Sequence, residues 1–352
     1  MSTPASEFLF TFSVNLYKQL QAEEGTNSNI VCSPFSIAAG LSMISAGARN
    51  NTLSQISHVL HLKEPDVHGK FAALFDRLRF LPPDTMMLFA NRIYASFEFT
   101  PLEDFISLLK KSYLSCVKCV EFRGDPGAAC CQMNAWVAEA TRFMVKDCLP
   151  LSAVHKTAHA MLVDAVYFRG FWEAQFVVDA TSQVEFHEDA ATTKAVNMML
   201  RRGTFEIGHC EELKVTALRI PYRGGKVSLV VLLPEKVDGL TTLVKQLTPS
   251  KLTGLLKGTM RPACLNLRLP RFRVEHAIDL RETLRGMGVA DLFTERADLS
   301  AMSAPPYPLF SCAVHKCVLD VNEEGLERPP TPTEHEAVDF TLNHPFMFFV
   351  EH

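Results

Sequence analysis

Met133, Trp136, Val137, Ala140 and Met144 recur three and four residues apart, the spacing that gathers apolar side chains on one face of a helix. Leu265, Leu267 and Leu269 instead alternate with Asn266 and Arg268, which predicts a strand with one face in the core and one in water. Residues 160–168 are almost continuously apolar, as are residues 227–233 before Pro234, and both stretches predict strands covered on both faces. Residues 113–122 also read as a strand. Ser33-Pro34 predicts a helix start, because serine caps free amides and proline at the first helical position gives up a donor with no partner there; Leu41, Met43 and Ile44 follow. Helix and strand patterns occur early and late, so the class is mixed α and β. No repeat and no shift in composition marks a domain boundary. Two proline clusters, Ala304-Pro305-Pro306-Tyr307-Pro308 and residues 326–333, predict extended loops poor in backbone donors.

Composition narrows the function. The 352 residues are 47% hydrophobic and 21% charged, an ordinary globular balance that allows one large domain or two. A formal charge of −4 gives no net field for phosphate backbones, so nucleic acid is not an expected partner. The longest apolar runs, residues 229–233 and 345–350, are far too short to cross a bilayer, so no membrane partner is expected. Residues 1–7 lack the basic region of a signal peptide, and residues 8–20 are broken by Thr11, Ser13, Asn15, Lys18 and Gln19. Ten scattered cysteines in a chain of this size read mostly as reduced thiols.

No nucleophile elbow, phosphate-binding glycine loop, dinucleotide fingerprint or helical His-Glu-x-x-His pattern is present, which lowers an enzyme reading. Cys116-x-x-Cys119 with Cys130-Cys131 has a spacing that thiolate ligands of zinc can take, but buried or surface thiols are the simpler account, and neither metal nor cofactor is expected. His155 and His159 are four apart, a ligand spacing only if that segment is helical. Arg201-Arg202 and Arg261, Arg268, Arg271 and Arg273 leave a weak case for glycosaminoglycan, since they read first as solvated strand faces. Asn50-Asn51-Thr52 makes Asn50 a glycosylation candidate if the chain is secreted.

Several long stretches together resemble the serpin family. They are Asn29-Ile30-Val31-Cys32-Ser33-Pro34-Phe35-Ser36-Ile37 with Gly47-Ala48-Arg49-Asn50-Asn51-Thr52, and Val163-Asp164-Ala165-Val166-Tyr167-Phe168-Arg169-Gly170-Phe171-Trp172. Ile220-Pro221-Tyr222-Arg223-Gly224-Gly225, Leu269-Pro270-Arg271-Phe272 and Gly288-Val289-Ala290-Asp291-Leu292-Phe293 follow in family order, then Val314-His315-Lys316, Val321-Asn322-Glu323-Glu324-Gly325 and His344-Pro345-Phe346-Met347-Phe348-Phe349. The resemblance covers nearly the whole chain. It implies an α+β serpin fold as a single domain over residues 1–352, with three β-sheets, about nine helices and an exposed reactive-centre loop at residues 326–340. It also implies serine-type endopeptidase inhibition by a monomer: a serine protease cuts the loop, forms an acyl-enzyme, and is trapped as the loop enters the large sheet. Such a protein is consumed by its target and is no catalyst. The family points to the extracellular space; with Met1 as the true start and no signal peptide, the cytoplasm is the alternative.

The resemblance assigns Glu323, Glu324, Gly325, Leu326, Glu327 and Arg328 to the hinge and Pro329, Pro330, Thr331, Pro332, Thr333, Glu334, His335, Glu336 and Ala337 to the loop. It places Ser33, Ser36, Asp164, Trp172 and His315 in the shutter and breach beneath the sheet opening. The chain departs from the family there. Alternate positions after Gly325 are Leu326, Arg328, Pro330 and Pro332, where small residues are the rule; a buried unpaired guanidinium is costly and proline lacks the ladder donor. Only eighteen residues separate Gly325 from His344, and counting along the family pattern puts the scissile position near Asp339, inside the returning strand. Asp164 stands where the family has Asn, and pairing with a protonated His315 would satisfy its carboxylate. The chain also stops at His352, before the family's last strand, so the domain reads as C-terminally incomplete. These departures predict impaired inhibition; the alternative is a non-inhibitory serpin acting as a protease substrate or partner-binding protein.

Overall fold

Ser33 does cap the helix that follows. Its side-chain oxygen accepts from the Ser36 amide at 3.3 Å, with Pro34 in the first turn of α2 (Pro34–Gly47). This helix is apolar on every side, and residues 36–45 are all buried, as expected for a helix through a core. A Cβ on Gly40 would lie 2.7 Å from Leu162, so glycine lets the helix approach its neighbouring strand closely. The computed structural model describes residues 4–25, 28–62, 66–79, 81, 84–327 and 336–352. They fall into two compact units, each drawn from three separated stretches of chain.

The first unit comprises Met1–Phe80, Met87–Phe168 and Val274–Leu319. With α2 it holds α1 (Pro4–Glu24), α3 (Asn50–Val59), α4 (Val67–Arg79), α5 (Glu103–Tyr113), α6 (Pro126–Ala140) and α9 (Leu280–Met287). Its sheet contains β1 (Thr85–Ser96), β2 (Val117–Val120), β3 (Ala160–Gly170), β9 (Phe272–Asp279) and β10 (Phe310–Val321), in the order β2-β1-β3-β10-β9. The predicted double-sided strand is β3, buried at every position but Arg169. β3 and β10 are direct hydrogen-bonded neighbours, so no strand lies between them. Phe12, Leu16, Leu41, Ile44, Phe71 and Leu162 belong to one apolar cluster on this unit's helices and sheet.

Two boundaries differ from expectation. The strand over residues 113–122 shrinks to β2, because Tyr113 ends α5 and Leu114 takes the left-handed cap conformation, φ 53°. The helix expected to reach Met144 stops at Ala140, where the Thr141 hydroxyl folds back onto the Val137 carbonyl at 2.7 Å and Arg142 and Phe143 turn to positive φ.

The second unit comprises Leu81–Met86, Arg169–Arg273 and Asp320–His352. It carries α7 (Leu240–Gln246), α8 (Pro249–Gly254), β4 (Val177–His187), β5 (Thr193–Cys210), β6 (Val215–Pro221), β7 (Ser228–Pro234), β8 (Arg261–Pro270), β11 (Val338–Thr341) and β12 (Met347–Glu351). The path is β11-β8-β5-β6-β7-β12, with β4 also on β5. The three sheets implied by the resemblance are hydrogen-bonded into two, because β5 runs unbroken for 18 residues and serves β4 at its start, β8 along its middle and β6 at its end. In β8, Leu265, Leu267 and Leu269 are buried and Asn266 and Arg268 are half-buried, as the alternation predicts. β7 is buried throughout. Nine α-helices and two sheets are present among the described residues, an α+β arrangement. None of those helices is long and apolar enough to cross a membrane.

Candidate functional site

β10 leads directly into the hinge, and backbone bonds moor the hinge along residues 172–176. The Trp172 amide donates to the Glu324 carbonyl at 2.9 Å, the Leu326 amide to the Trp172 carbonyl at 3.1 Å, and the Phe176 and Gln175 amides to the Glu323 and Leu326 carbonyls at 3.0 Å each. Gly325 thus forms a parallel bridge with Trp172. A Cβ there would sit 2.7 Å from the Gln175 backbone, which is why this position needs glycine.

Trp172, 1% exposed, is the anvil of this arrangement. Its indole stacks on Tyr222 at 4.4 Å and 10°, Phe176 meets it edge-on, and its Nε1 donates to the Asn322 carbonyl at 2.6 Å. Burial drives the Tyr222 hydroxyl far above its ordinary pKa. Two ion pairs flank the mooring. Glu324 pairs with Arg169. The Glu323 carboxylate is buried, accepts from the Thr181 hydroxyl at 2.9 Å and lies 3.6 Å from Arg271.

Leu326 is half-buried and Glu327 exposed. Arg328, Pro329, Pro330, Thr331, Pro332, Thr333, Glu334 and His335 lie outside the described residues. Glu336 is exposed and Ala337 half-buried just before β11, which pairs in parallel with β8. Asp339 sits in that pairing, opposite Asn266, whose Nδ2 donates to its carboxylate at 2.8 Å. The position counted as scissile is therefore held in a hydrogen-bonded strand.

The first unit contains a second polar cluster. Ser36, Asp164 and His315 are fully buried. Asp164 Oδ1 accepts from the Ser36 hydroxyl at 2.5 Å, and Oδ2 lies 2.6 Å from His315 Nδ1. The Ser33 amide donates to His315 Nε2 at 3.0 Å. Since Nε2 is an acceptor, the ring is the neutral tautomer with its proton on Nδ1, donated to Asp164. The pairing expected from the sequence forms, but with a neutral imidazole and not an imidazolium. Because Asp164 is on β3 and His315 on β10, the bond ties together the two strands at the centre of the sheet. Trp172, assigned with these residues to the shutter and breach, lies in the hinge mooring.

Other candidates resolve individually. Asn50 is exposed at the start of α3, where its Nδ2 donates to Asp298 at 2.7 Å. His155 and His159 lie in a loop, and His159 packs on Phe99 at 5.2 Å, so the helical ligand spacing is absent. Arg201 is buried over the Phe205 ring, contrary to a solvated face, while Arg271 and Arg273 are paired with Glu323 and Asp320; this weakens the glycosaminoglycan case further. No three of the cysteines come together as metal ligands among the described residues, and all ten are free. Burial lifts the Cys148 and Cys312 thiols to about 12 and pushes Cys317 well above its ordinary value, which suppresses the reactive thiolate. Under native conditions at pH 8, iodoacetamide should therefore modify exposed Cys131 while leaving Cys148, Cys312 and Cys317 unlabelled until the protein is unfolded, as peptide mass mapping would show.

Sequence reading missed Thr181, Arg271 and Arg169 as partners of the hinge and Tyr222 as the ring stacked on Trp172. Nothing in local pattern marks them, because each meets its partner from roughly 50 to 155 residues away along the chain.

Comparison with known proteins agrees with this geometry. Residues 9–352 match the family described as serpin (serine protease inhibitor). The chain is 42% identical to Iris of Ixodes ricinus over 99% of its length and 96% of that protein, and 36% identical to the bovine (Bos taurus) leukocyte elastase inhibitor over 97% and 93%. Uncleaved ovalbumin superposes with a TM-score of 0.93 at 27% identity, covering 98% of this chain and 95% of that one. The chain belongs to the serpin family, and its relatives include proteins named as protease inhibitors.

Proposed function

We propose that this serpin meets serine proteases as a substrate through its reactive-centre loop, and that full insertion, the step that traps a protease, is impaired. The observation that carries this reading is the pairing of β3 with β10, because a strand entering there becomes a central strand with neighbours on both sides. β3 is covered on both faces, so the alternate positions Leu326, Arg328, Pro330 and Pro332 would be taken from water. Arg328 would arrive without an anion, and Pro329, Pro330 and Pro332 cannot donate to either neighbour. The pairing of Asp339 with Asn266 adds support, since a protease needs an extended segment it can bind by itself.

Incubation with trypsin-, chymotrypsin- and elastase-like proteases followed by a denaturing gel tests the proposal. Cleavage between residues 326 and 337, before β11, without a stable high-mass band is the expected result. A stable covalent band overturns it, and a loop left uncut by every protease moves the function to partner binding.

A further inference from the structure

We propose that His209, Glu211 and Glu235 form a surface site for a divalent transition ion of the zinc type. The three side chains are gathered by strand register at one end of the second unit's sheet. β5 ends at Cys210, residues 211–214 form the turn, and β6 begins at Val215. Val215 stands opposite Pro234, which brings Glu235 beside the turn, where its amide donates to the Lys214 carbonyl at 3.0 Å. His209 and Glu211, two residues apart, then meet Glu235 across the sheet end.

The separations are those of a metal's ligand shell. His209 Nε2 lies 3.3 Å from Glu211 Oε1 and 3.3 Å from Glu235 Oε1. An ion bound at the usual Zn–N and Zn–O lengths with tetrahedral angles separates its ligand atoms by about 3.4 Å. All three ligand atoms lie within 4.8 Å of one another, and both carboxylates reach solvent and can swing to close the third edge.

The ring orientation adds a separate argument. Thr216, opposite His209 in the β5–β6 register, places its hydroxyl 3.3 Å from Nδ1. In the tautomer whose Nδ1–H donates to that hydroxyl, the Nε2 lone pair faces both carboxylates and is the atom a bound cation would take. One imidazole and two carboxylates suit zinc or cobalt, whereas calcium and magnesium prefer all-oxygen sites. A fourth position stays open to water. Glu212 is not a ligand, because it pairs with Lys251 at 2.9 Å. A bound ion would clamp the β5–β6 turn to the end of β7 and stabilise the folded chain by mass action.

Cobalt titration of the full chain provides the test, because cobalt reports its ligands by absorption. The expected result is one saturable ion per chain, without a thiolate charge-transfer band, and a melting temperature that rises with added ion. His209→Ala and Glu235→Gln should each weaken binding about tenfold or more and abolish that rise. Both variants should melt with the native chain in excess chelator, since the substituted side chains are exposed; if His209→Ala does not, Glu211→Gln and Glu235→Gln carry the test. The proposal is overturned by an absence of saturable binding, by a thiolate band, or by carboxamide variants that bind as the native chain does.

Discussion

Replacing Arg328 by Thr and Pro329, Pro330 and Pro332 by Ala should make the loop-cleaved protein markedly more heat-stable than the uncut one, whereas cleavage of the native chain should leave its melting temperature nearly unchanged. The difference arises in the inserted state alone. Each proline in a central strand leaves a buried carbonyl without its donor, at about 1–3 kcal/mol apiece. An unpaired buried guanidinium adds several more. Together these penalties reach about 6 kcal/mol or more, some four powers of ten in the insertion equilibrium. Calorimetry before and after limited proteolysis measures the effect directly. An equal rise in the native chain would show that prolines at 329, 330 and 332 do not block entry.

Asp164→Ala should cost about 2–6 kcal/mol, because two buried donors each lose their acceptor at about 1–3 kcal/mol. The substitution strands the Nδ1–H of His315 and the hydroxyl of Ser36 in a site that excludes water. It also cuts the side-chain tie between β3 and β10, so the loss falls at the seam through which a strand would enter. Asp164→Asn should cost much less, because the amide oxygen still accepts from Nδ1 and the amide nitrogen can donate to Ser36. Urea unfolding of the two variants separates these cases. Equal losses would mean that the hydrogen bonds an amide can restore contribute nothing.

The hinge shows how far local pattern reached. Glu323-Glu324-Gly325 was recognisable as a motif, and the need for glycine follows from the close approach of the Gln175 backbone. That Glu323 would be buried against Thr181 and Arg271, while Glu324 two atoms of backbone away faces Arg169, had no signature in residues 320–327. Asp164 was legible as a carboxylate needing a partner, and His315 as that partner. The protonation state was not legible, because it depends on one amide, that of Ser33, on a different helix start.

By itself the sequence determined the elements and their buried faces: the Ser33-Pro34 helix start, the fully covered strands β3 and β7, and the alternating β8. Each follows from the relation between a side chain and its own backbone period, which residues a few positions away set. Tertiary structure decided which distant residues meet: Trp172 with Tyr222, Glu323 with Arg271, His209 with Glu235, and β5 as one strand shared by two groups of partners. The physical reason is register. A shift of one residue between paired strands moves every side chain to the opposite face, and that alignment is set by packing along whole elements and not by any short stretch of chain.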